Sequence, residues 1–236
     1  VAGNDYQYTL GNHVDAYSDS DNTNGPTGQN DARAFGGPTL TFDQPWDVNG
    51  TPLDYTKAAV TNLFYMNNIA HDVFYNLGFD EPSGNFQADN FNRGGNGNDH
   101  VMAEAQDGLG SCNANMSTPA DGGSPRMQMY LCSNQDGDFD NAIILHEFGH
   151  GVSNRLTGGP NAVACLGNVE QMGEGWSDFF GMVMTMKSTD VETTNRTIGT
   201  FMFNQDENGA GLRPYPYTTD MSVNPMTYKT IDDVGI

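Results

Sequence analysis

Two histidines and a glutamate in the segment His146-Glu147-Phe148-Gly149-His150 carry the clearest chemical signal in the chain. Residues four apart lie on the same face of a helix, so His146 and His150 could bind one zinc ion together. Glu147 would then stand beside that ion, where a carboxylate can take a proton from an attacking water molecule. The pattern is short, and by itself it does not distinguish a catalytic zinc site from a chance arrangement on a surface helix.

A catalytic zinc site needs a third protein ligand and keeps one further position open. Glu174 follows His150 at a separation that lets one helix end, a loop turn and a second helix begin antiparallel to the first. Asp178, one helical turn after Glu174, could accept a hydrogen bond from the second ring nitrogen of a ligating histidine. Leu156 stands where a related motif has a third histidine, so that variant is excluded. We therefore expect His146, His150 and Glu174 to be the zinc ligands.

Predicted helices must bring these side chains together. An apolar run at residues 141–145 leads into the histidine motif, which indicates a helix buried in a domain interior, and the Gly-Gly-Pro sequence at residues 158–160 predicts its end. A second helical pattern with a mostly apolar face follows Gly173. Upstream, apolar residues recur at helical spacing over residues 55–77, which predicts a long helix that ends at Gly78.

Outside these helices the local patterns predict a mixed α+β chain. Residues 1–37 are polar and rich in Asn, Asp and Gly, which is typical of loops. Short alternating segments between residues 40 and 52 predict strands, and further strands are predicted within residues 101–105 and 127–132. We expect an irregular, sheet-containing N-terminal part on which the pair of zinc-binding helices packs, with the substrate cleft between them.

Two further sets of ionisable residues, three aspartates before the motif and one histidine in the predicted long helix, are interpreted as structural. Asp136, Asp138 and Asp140 alternate as calcium ligands do, but the residues that follow lack the rest of a calcium-binding loop. We interpret them as a solvated turn into the zinc-binding helix, with a calcium site as the alternative. His71 lies in the predicted long helix, where a packed or hydrogen-bonded histidine is the simpler interpretation because the zinc ligand set is already complete.

Length and charge set the class of protein. With 236 residues, 36% of them hydrophobic, the chain can bury a core as one domain or as two closely packed subdomains. The formal net charge is -21, from 30 acidic and 9 basic residues, which argues against nucleic-acid partners and against anionic membrane surfaces. Apolar runs fall short of the roughly 18 to 20 residues that a membrane-spanning helix needs.

The beginning of the chain and its cysteines suggest a secreted protein. The first residues lack the basic region and apolar core of a targeting segment, so we expect a mature protein from which that segment has been removed.

Three cysteines are too few for a disulfide scaffold. In an oxidising compartment we expect one pair and one free thiol, or a partner outside this sequence, and we favour pairing of Cys112 with Cys132.

The histidine motif and its flanks, residues 146–160, resemble the signature of the fungalysin family of secreted zinc metalloendopeptidases, which are distant relatives of the thermolysin family. Further stretches that resemble the family are residues 62–72, 78–87, 103–108, 165–166 and 173–178. The resemblance runs from about residue 38 to the end of the sequence and is therefore broader than a single motif.

This resemblance implies a thermolysin-like metalloprotease fold and a role for each candidate residue. His146, His150 and Glu174 would be the zinc ligands, Glu147 would be the general base, and Asp178 would be the partner of His146. Asn113 and Ala114 would contact the substrate backbone, and Ile143 would form the wall of a hydrophobic pocket. An extended peptide bound at an edge strand gains main-chain hydrogen bonds regardless of its sequence. We assign residues 1–135 to an α+β subdomain with that strand and residues 136–236 to a helical zinc-binding subdomain that is truncated or continued in another chain.

The implied function is that of a secreted zinc endopeptidase that hydrolyses internal peptide bonds of proteins, with large hydrophobic residues preferred on the amine side of the cut. Family members are made with a propeptide, and they carry a later histidine that helps to stabilise the tetrahedral intermediate. This sequence has no histidine after His150, so we expect a lost C-terminal portion or a separate C-terminal fragment of the same precursor as a partner. The alternative is a nicked or truncated zinc-binding extracellular module without turnover of its own.

Overall fold

The computed structural model describes residues 6–26, 33–47, 49–169 and 171–231, which fold into an α+β structure. Its helices are α1 (Thr56–Asn76), α2 (Asn141–Thr157) and α3 (Gly173–Met184). Its strands are β1 (Val14–Ser18), β2 (Val101–Ala105), β3 (Ala114–Ser117), β4 (Arg126–Met129), β5 (Leu131–Cys132) and β6 (Gln135–Asp136). Short 3-10 turns lie at Pro52–Asp54, Glu81–Ser83, Gly137–Phe139 and Tyr228–Ile231.

Four of the strands form one mixed sheet in the order β1-β2-β4-β3. β1, β2 and β4 run parallel, whereas β3 pairs antiparallel with β4 and lies at the edge of the sheet. β5 and β6 form a separate two-stranded hairpin. The open side of β3 therefore offers unpaired main-chain groups to an added strand.

One aromatic ring connects all three helices. The ring of Phe74 in α1 stacks on Phe148 in α2 at a centroid separation of 5.7 Å and meets Phe180 in α3 edge-on at 4.9 Å. Aromatic pairs of these two geometries are favourable beyond the area they bury. These contacts form a core in which α2 and α3 pack against each other and against α1.

The predicted helices and most of the predicted strands are present, but the strands predicted between residues 40 and 52 are wrong. In the described part of that segment the chain forms turns, a stretch without regular secondary structure, and the start of the 3-10 turn at Pro52–Asp54. Alternation alone cannot make a strand where Pro45 and Pro52 remove backbone donors and no neighbouring strand is available.

A strand within the segment interpreted as loop was missed. All five residues of β1 are buried, because the strand pairs in parallel with β2 on one side, is covered by the segment around Thr9 on the other, and contacts α1. Its acidic residue, Asp15, is stabilised by Arg33, whose Nε and Nη2 donate hydrogen bonds of 2.6 and 2.7 Å to the two carboxylate oxygens. A buried, ion-paired aspartate gives β1 a polar composition that hides the strand in the sequence.

The solvated turn proposed for the aspartates before α2 is also wrong, since all three are buried. Asp136 Oδ1 accepts a hydrogen bond from the backbone N–H of Asp138, and Asp138 Oδ2 accepts one from the backbone N–H of Gln106. Asp140 accepts from Ile143 N as the N-cap of α2 and from Met202 N. Asp140 thus caps α2, whereas Asp136 caps the preceding 3-10 turn and Asp138 ties that turn to the segment after β2. The calcium alternative for this segment stays a prediction.

Candidate metal centre

The three predicted zinc ligands converge at the facing surfaces of α2 and α3. His146 Nε2 lies 3.3 Å from Glu174 Oε2, and His150 Nε2 lies 3.4 Å from Glu174 Oε1. The two Nε2 atoms are 2.9 Å apart. Tetrahedral zinc with bonds of roughly 2.0 to 2.2 Å places neighbouring ligand atoms roughly 3.3 Å apart, so this donor set fits the ion.

Asp178 lies behind His146 and sets the orientation of its ring. Asp178 Oδ1 is 2.7 Å from His146 Nδ1, so a proton on Nδ1 leaves the lone pair of Nε2 directed towards Glu174. Burial would raise the pKa of Asp178, but hydrogen bonds from His146, Arg213 and Tyr217 hold it at about 2. The carboxylate is therefore charged whenever the protein is folded near neutral pH.

The two carboxylates make this site attractive to positive charge. Burial opposes protonation of His146, yet its bonds to Asp178 and Glu174 raise its pKa to about 9. The same contacts with His146 and His150 hold the pKa of Glu174 well below its usual range. A site that stabilises a cationic imidazole this strongly will also stabilise a metal cation held by the neutral imidazoles.

Glu147 is buried beside the ligands and lines the same cleft. Burial raises the pKa of its carboxyl group, while the neighbouring His146 and His150 act to lower it. A carboxylate with a raised pKa is a better proton acceptor than a solvated one.

The cleft above these residues has a volume of about 440 Å³. One wall is the edge of the sheet, where Asn113 precedes β3 and Ala114 begins it. Ile143 on α2 also lines the cleft. It is joined there by apolar side chains that sequence reasoning did not identify, namely Ile198, Met202, Phe203 and Leu212.

Arg213 and Tyr217 are the functional candidates that the sequence did not reveal. Arg213 donates through Nε to Asp178 Oδ2 at 2.7 Å and through Nη2 to Glu174 Oε2 at 3.0 Å. The hydroxyl of Tyr217 donates to Asp178 Oδ2 at 2.6 Å. A signal did exist, because Arg213 is one of only nine basic residues in a strongly acidic chain. Its partners could not be inferred without the fold.

The predicted disulfide between Cys112 and Cys132 is present, and Cys165 is free and exposed. Cys112 directly precedes Asn113, so the crosslink fixes the entry to β3 against the β5–β6 hairpin. This restraint holds one wall of the cleft in place.

His71 and His13 form another histidine pair, whose geometry differs from that of His146 and His150. Their rings stack in parallel with centroids 3.4 Å apart. His71 Nε2 contacts Gln87 Oε1 at 3.0 Å, and its Nδ1 contacts Asp72 Oδ1 at 3.1 Å. Stacked rings direct their in-plane lone pairs side by side rather than towards one point, and the ring nitrogens of His71 already have partners. This supports the interpretation of His71 as a hydrogen-bonded packing residue.

Among the helices of the described residues, none combines the length and the apolar character needed to cross a membrane.

Comparison with known proteins identifies the same group of enzymes as the motif. The family model of the fungalysin metallopeptidases matches residues 2–235. An extracellular metalloproteinase of Aspergillus flavus is 44% identical over 204 residues, which cover 84% of this chain and 32% of that protein. Extracellular metalloproteinase 2 of Arthroderma otae is 43% identical over 233 residues, which cover 96% of this chain and 36% of the relative. The chain thus spans about a third of the length of these curated relatives.

Proposed function

The chain belongs to the fungalysin family of metallopeptidases, and on this premise we propose that it forms the zinc-binding part of a secreted endopeptidase. Its curated relatives are named extracellular metalloproteinases. The observation that carries the proposal is the convergence of His146, His150 and Glu174 at the base of a cleft that Glu147 also lines.

His146, His150 and Glu174 would hold the ion, with the two imidazoles neutral and the carboxylate charged. Zinc bound there would supply a Lewis acid that polarises the scissile carbonyl and lowers the pKa of water from about 15.7 to about 7. Asp178 keeps His146 in the tautomer that this arrangement needs, because it accepts the Nδ1 proton.

Glu147 is the proposed general base. Its carboxylate takes a proton from the attacking water and delivers that proton to the departing amine, which leaves poorly unless it is protonated. The buried position supports this role, since burial raises the pKa of the carboxyl group and makes it a stronger acceptor. No other carboxylate is needed for the transfer in this scheme.

Arg213 is proposed as a positioning residue rather than as a ligand. Its guanidinium group bridges Asp178, which orients one ligand, and Glu174, which is another. Planar two-point contacts of this kind fix the geometry of carboxylates more firmly than a single ammonium contact does. Arg213 would thus hold α3 and its carboxylates in register with α2.

The substrate would lie along β3 as an added strand. Asn113 and Ala114 line the cleft where the edge of the sheet is open, so main-chain groups there can bind an extended peptide of any sequence. Ile143, Ile198 and Leu212 form part of an apolar lining next to the ligands. That lining supports a preference for large hydrophobic residues on the amine side of the cut bond.

The proposed cleft separates the two predicted subdomains. Residues 1–135 supply the sheet, its edge and α1, and residues 136–236 supply α2, α3 and most of the apolar lining. Protein or peptide substrates, a propeptide before maturation and a separate C-terminal fragment are the partners we propose on the strength of the family.

Hydrolysis of casein by the zinc-loaded protein is the direct test. Replacement of Glu147 by Gln should abolish hydrolysis while zinc stays bound, because the amide cannot accept the proton. Chelation should also abolish hydrolysis, and added zinc should restore it. If the complete, matured protein binds zinc but does not hydrolyse casein, the alternative of a zinc-binding module without turnover is correct instead.

A further inference from the structure

Three buried carboxylates, none of them a candidate zinc ligand, lie together at the end of the sheet. Asp19 follows β1, Glu104 belongs to β2, and Asp107 follows β2. Because β1 and β2 are parallel neighbours, these positions meet at the carboxyl ends of the two strands. One oxygen from each side chain lies within 4.8 Å of the others. The exposed fractions of the three residues are 0%, 0% and 2%.

Two members of the cluster, Glu104 and Asp107, contact one guanidinium group and several neutral donors. Arg126 Nε lies 3.0 Å from Glu104 Oε1, which also accepts a hydrogen bond of 2.9 Å from Tyr17. Asp107 accepts hydrogen bonds from two neutral donors, the Leu109 backbone N–H and the Gln128 side-chain amide. Buried charges that are not paired are unfavourable, and the two adjacent carboxylates of Glu104 and Asp107 beside one guanidinium favour a further cation.

One oxygen of the cluster has no hydrogen-bond donor at all. Glu104 Oε2 is completely buried and unpartnered. Asn22 Oδ1, on the loop that follows Asp19, is likewise buried without a partner. That loop packs on the loop after β2, since the Asn22 nitrogen would lie 3.5 Å from a Cβ at Gly108. A buried acceptor without a donor in a native fold points to an ion, a water molecule or a proton that supplies the missing interaction.

We propose that Asp19, Glu104 and Asp107 form a structural calcium site. All three side chains offer oxygen atoms and none offers nitrogen or sulfur, which selects a hard cation rather than zinc. Calcium accepts six to eight oxygen ligands in flexible geometry, including carboxylates, amide carbonyls and waters. The unpartnered Asn22 Oδ1 is of the right type to complete such a shell. This site is independent of the proposed peptidase activity.

A calcium ion there would also support the wall of the cleft. Tyr17, Glu104, Gln128 and Asn115 stand opposite one another in a single row across all four strands of the sheet. Gln128 donates to Asp107 at 2.8 Å, and its other neighbour in the row, Asn115, belongs to β3. Calcium would therefore tie the loops at one end of the sheet to the strand that we propose for substrate.

A proton is the rival occupant. Burial, opposed by Tyr17 and Arg126 and reinforced by Asp107, raises the pKa of Glu104 to about 7. A protonated Glu104 could donate to Asp107 and satisfy both groups without an ion. The two explanations differ in their response to calcium, which only the ion site predicts.

Thermal unfolding of the zinc-loaded protein, with and without calcium chloride, tests the proposal. Saturating calcium should raise the unfolding midpoint by roughly 5 °C, because the ion binds the folded state alone. Magnesium chloride at matched ionic strength should raise it much less. Glu104→Gln should remove the response to calcium, whereas Glu192→Gln, a matched change at an exposed position, should respond as the unchanged protein does.

Terbium luminescence gives a second readout that does not depend on a variant that folds. Tyr17 touches Glu104, so excitation of tyrosine should sensitise a terbium ion bound in the cluster, and calcium should displace it. The proposal is overturned if calcium shifts neither the midpoint nor the luminescence, if magnesium is as effective as calcium, or if Glu104→Gln responds as strongly as Glu192→Gln. Should Glu104→Gln fail to fold, Asp107→Asn takes its place in the same comparison.

Discussion

Oδ1 of Asp178 lies 2.7 Å from Nδ1 of His146, although 32 positions separate the two residues in the chain. This contact joins α2 to α3 behind the candidate metal ligands. Asp178 is fully buried and also receives hydrogen bonds from Arg213 and Tyr217. The ring of His146 is therefore oriented by a carboxylate that is itself held by two further side chains.

Replacement of Asp178 by Asn should weaken zinc binding by roughly 10- to 100-fold, because the neutral amide supports His146 less well and removes one of the two charge partners of Arg213. Zinc affinity measured by competition with a chromogenic chelator checks this. Asp43→Asn, at an exposed position, serves as the control and should leave the affinity unchanged. An affinity for Asp178→Asn that matches the control would show that the contact does not support the ligand.

Helical spacing is the reason that so much of the site could be predicted. His146 and His150 are four residues apart, and so are Glu174 and Asp178, and each pair lies on one face of a helix once the helix exists. The intervening loop only had to be long enough for α3 to return. The sequence therefore predicted the group of side chains without any knowledge of the loop conformation.

Residues that act from irregular segments could not be predicted in the same way. Arg213 and Tyr217 reach Asp178 from a stretch that contains turns and an isolated bridge between Arg196 and Tyr217. Their positions depend on tertiary packing, for which no periodic pattern exists. The burial of Asp136 and Asp138 was missed for a related reason, because alternating aspartates do not reveal which backbone donors surround them.

His13 should make the folded protein sensitive to acid. Burial, and then the nearby His71, lower the pKa of His13 from 6.5 to about 4. Between these values the unfolded chain binds a proton that the folded protein does not, so the free energy of unfolding falls as the pH decreases from about 6.5 towards about 4. His13→Phe keeps an aromatic ring on His71 but cannot be protonated.

The loss of stability between pH 6.5 and pH 4 should therefore be smaller in His13→Phe than in the unchanged protein, by about 1 to 3 kcal/mol. Urea denaturation at a series of pH values measures it. Any contribution from the zinc ligands is common to both proteins and cancels in the difference. Parallel stability curves for the two proteins over this range would contradict the assignment to His13.

Arg155 should be among the least replaceable residues of α2. Its side chain is fully buried, and it donates to Pro119 O at 2.8 Å, to Asp99 Oδ2 at 3.1 Å and to Gly123 O at 3.1 Å. Lysine has a single ammonium group that cannot reach all of these acceptors, so several would be left buried without a donor. Arg155→Lys should lower the free energy of unfolding by about 3 kcal/mol or more.

Arg93→Lys is the matched control for that substitution. Arg93 is mostly exposed and pairs with Glu81 at 3.5 Å, so the same exchange should lower the unfolding free energy much less than Arg155→Lys does. Chemical denaturation of both variants checks the contrast. Equal losses would mean that the buried network around Arg155 does not stabilise the fold more than a surface contact does.

Substitutions at two glycines of α3 distinguish the effect of helix packing from that of helix propensity. A Cβ at Gly181 would lie 2.6 Å from the backbone oxygen of Ala142 in α2, whereas a Cβ at Gly175 would meet no atom within 4 Å. Gly181→Ala must therefore push α3 away from α2, at a cost of about 1 to 3 kcal/mol, and carry Glu174 away from the histidines. Gly175→Ala should instead stabilise the protein by about 0.5 to 1 kcal/mol, because alanine is the better helix former. Zinc affinity should fall in Gly181→Ala alone, and an equal affinity in both variants would show that the spacing of the two helices does not set the geometry of the metal centre.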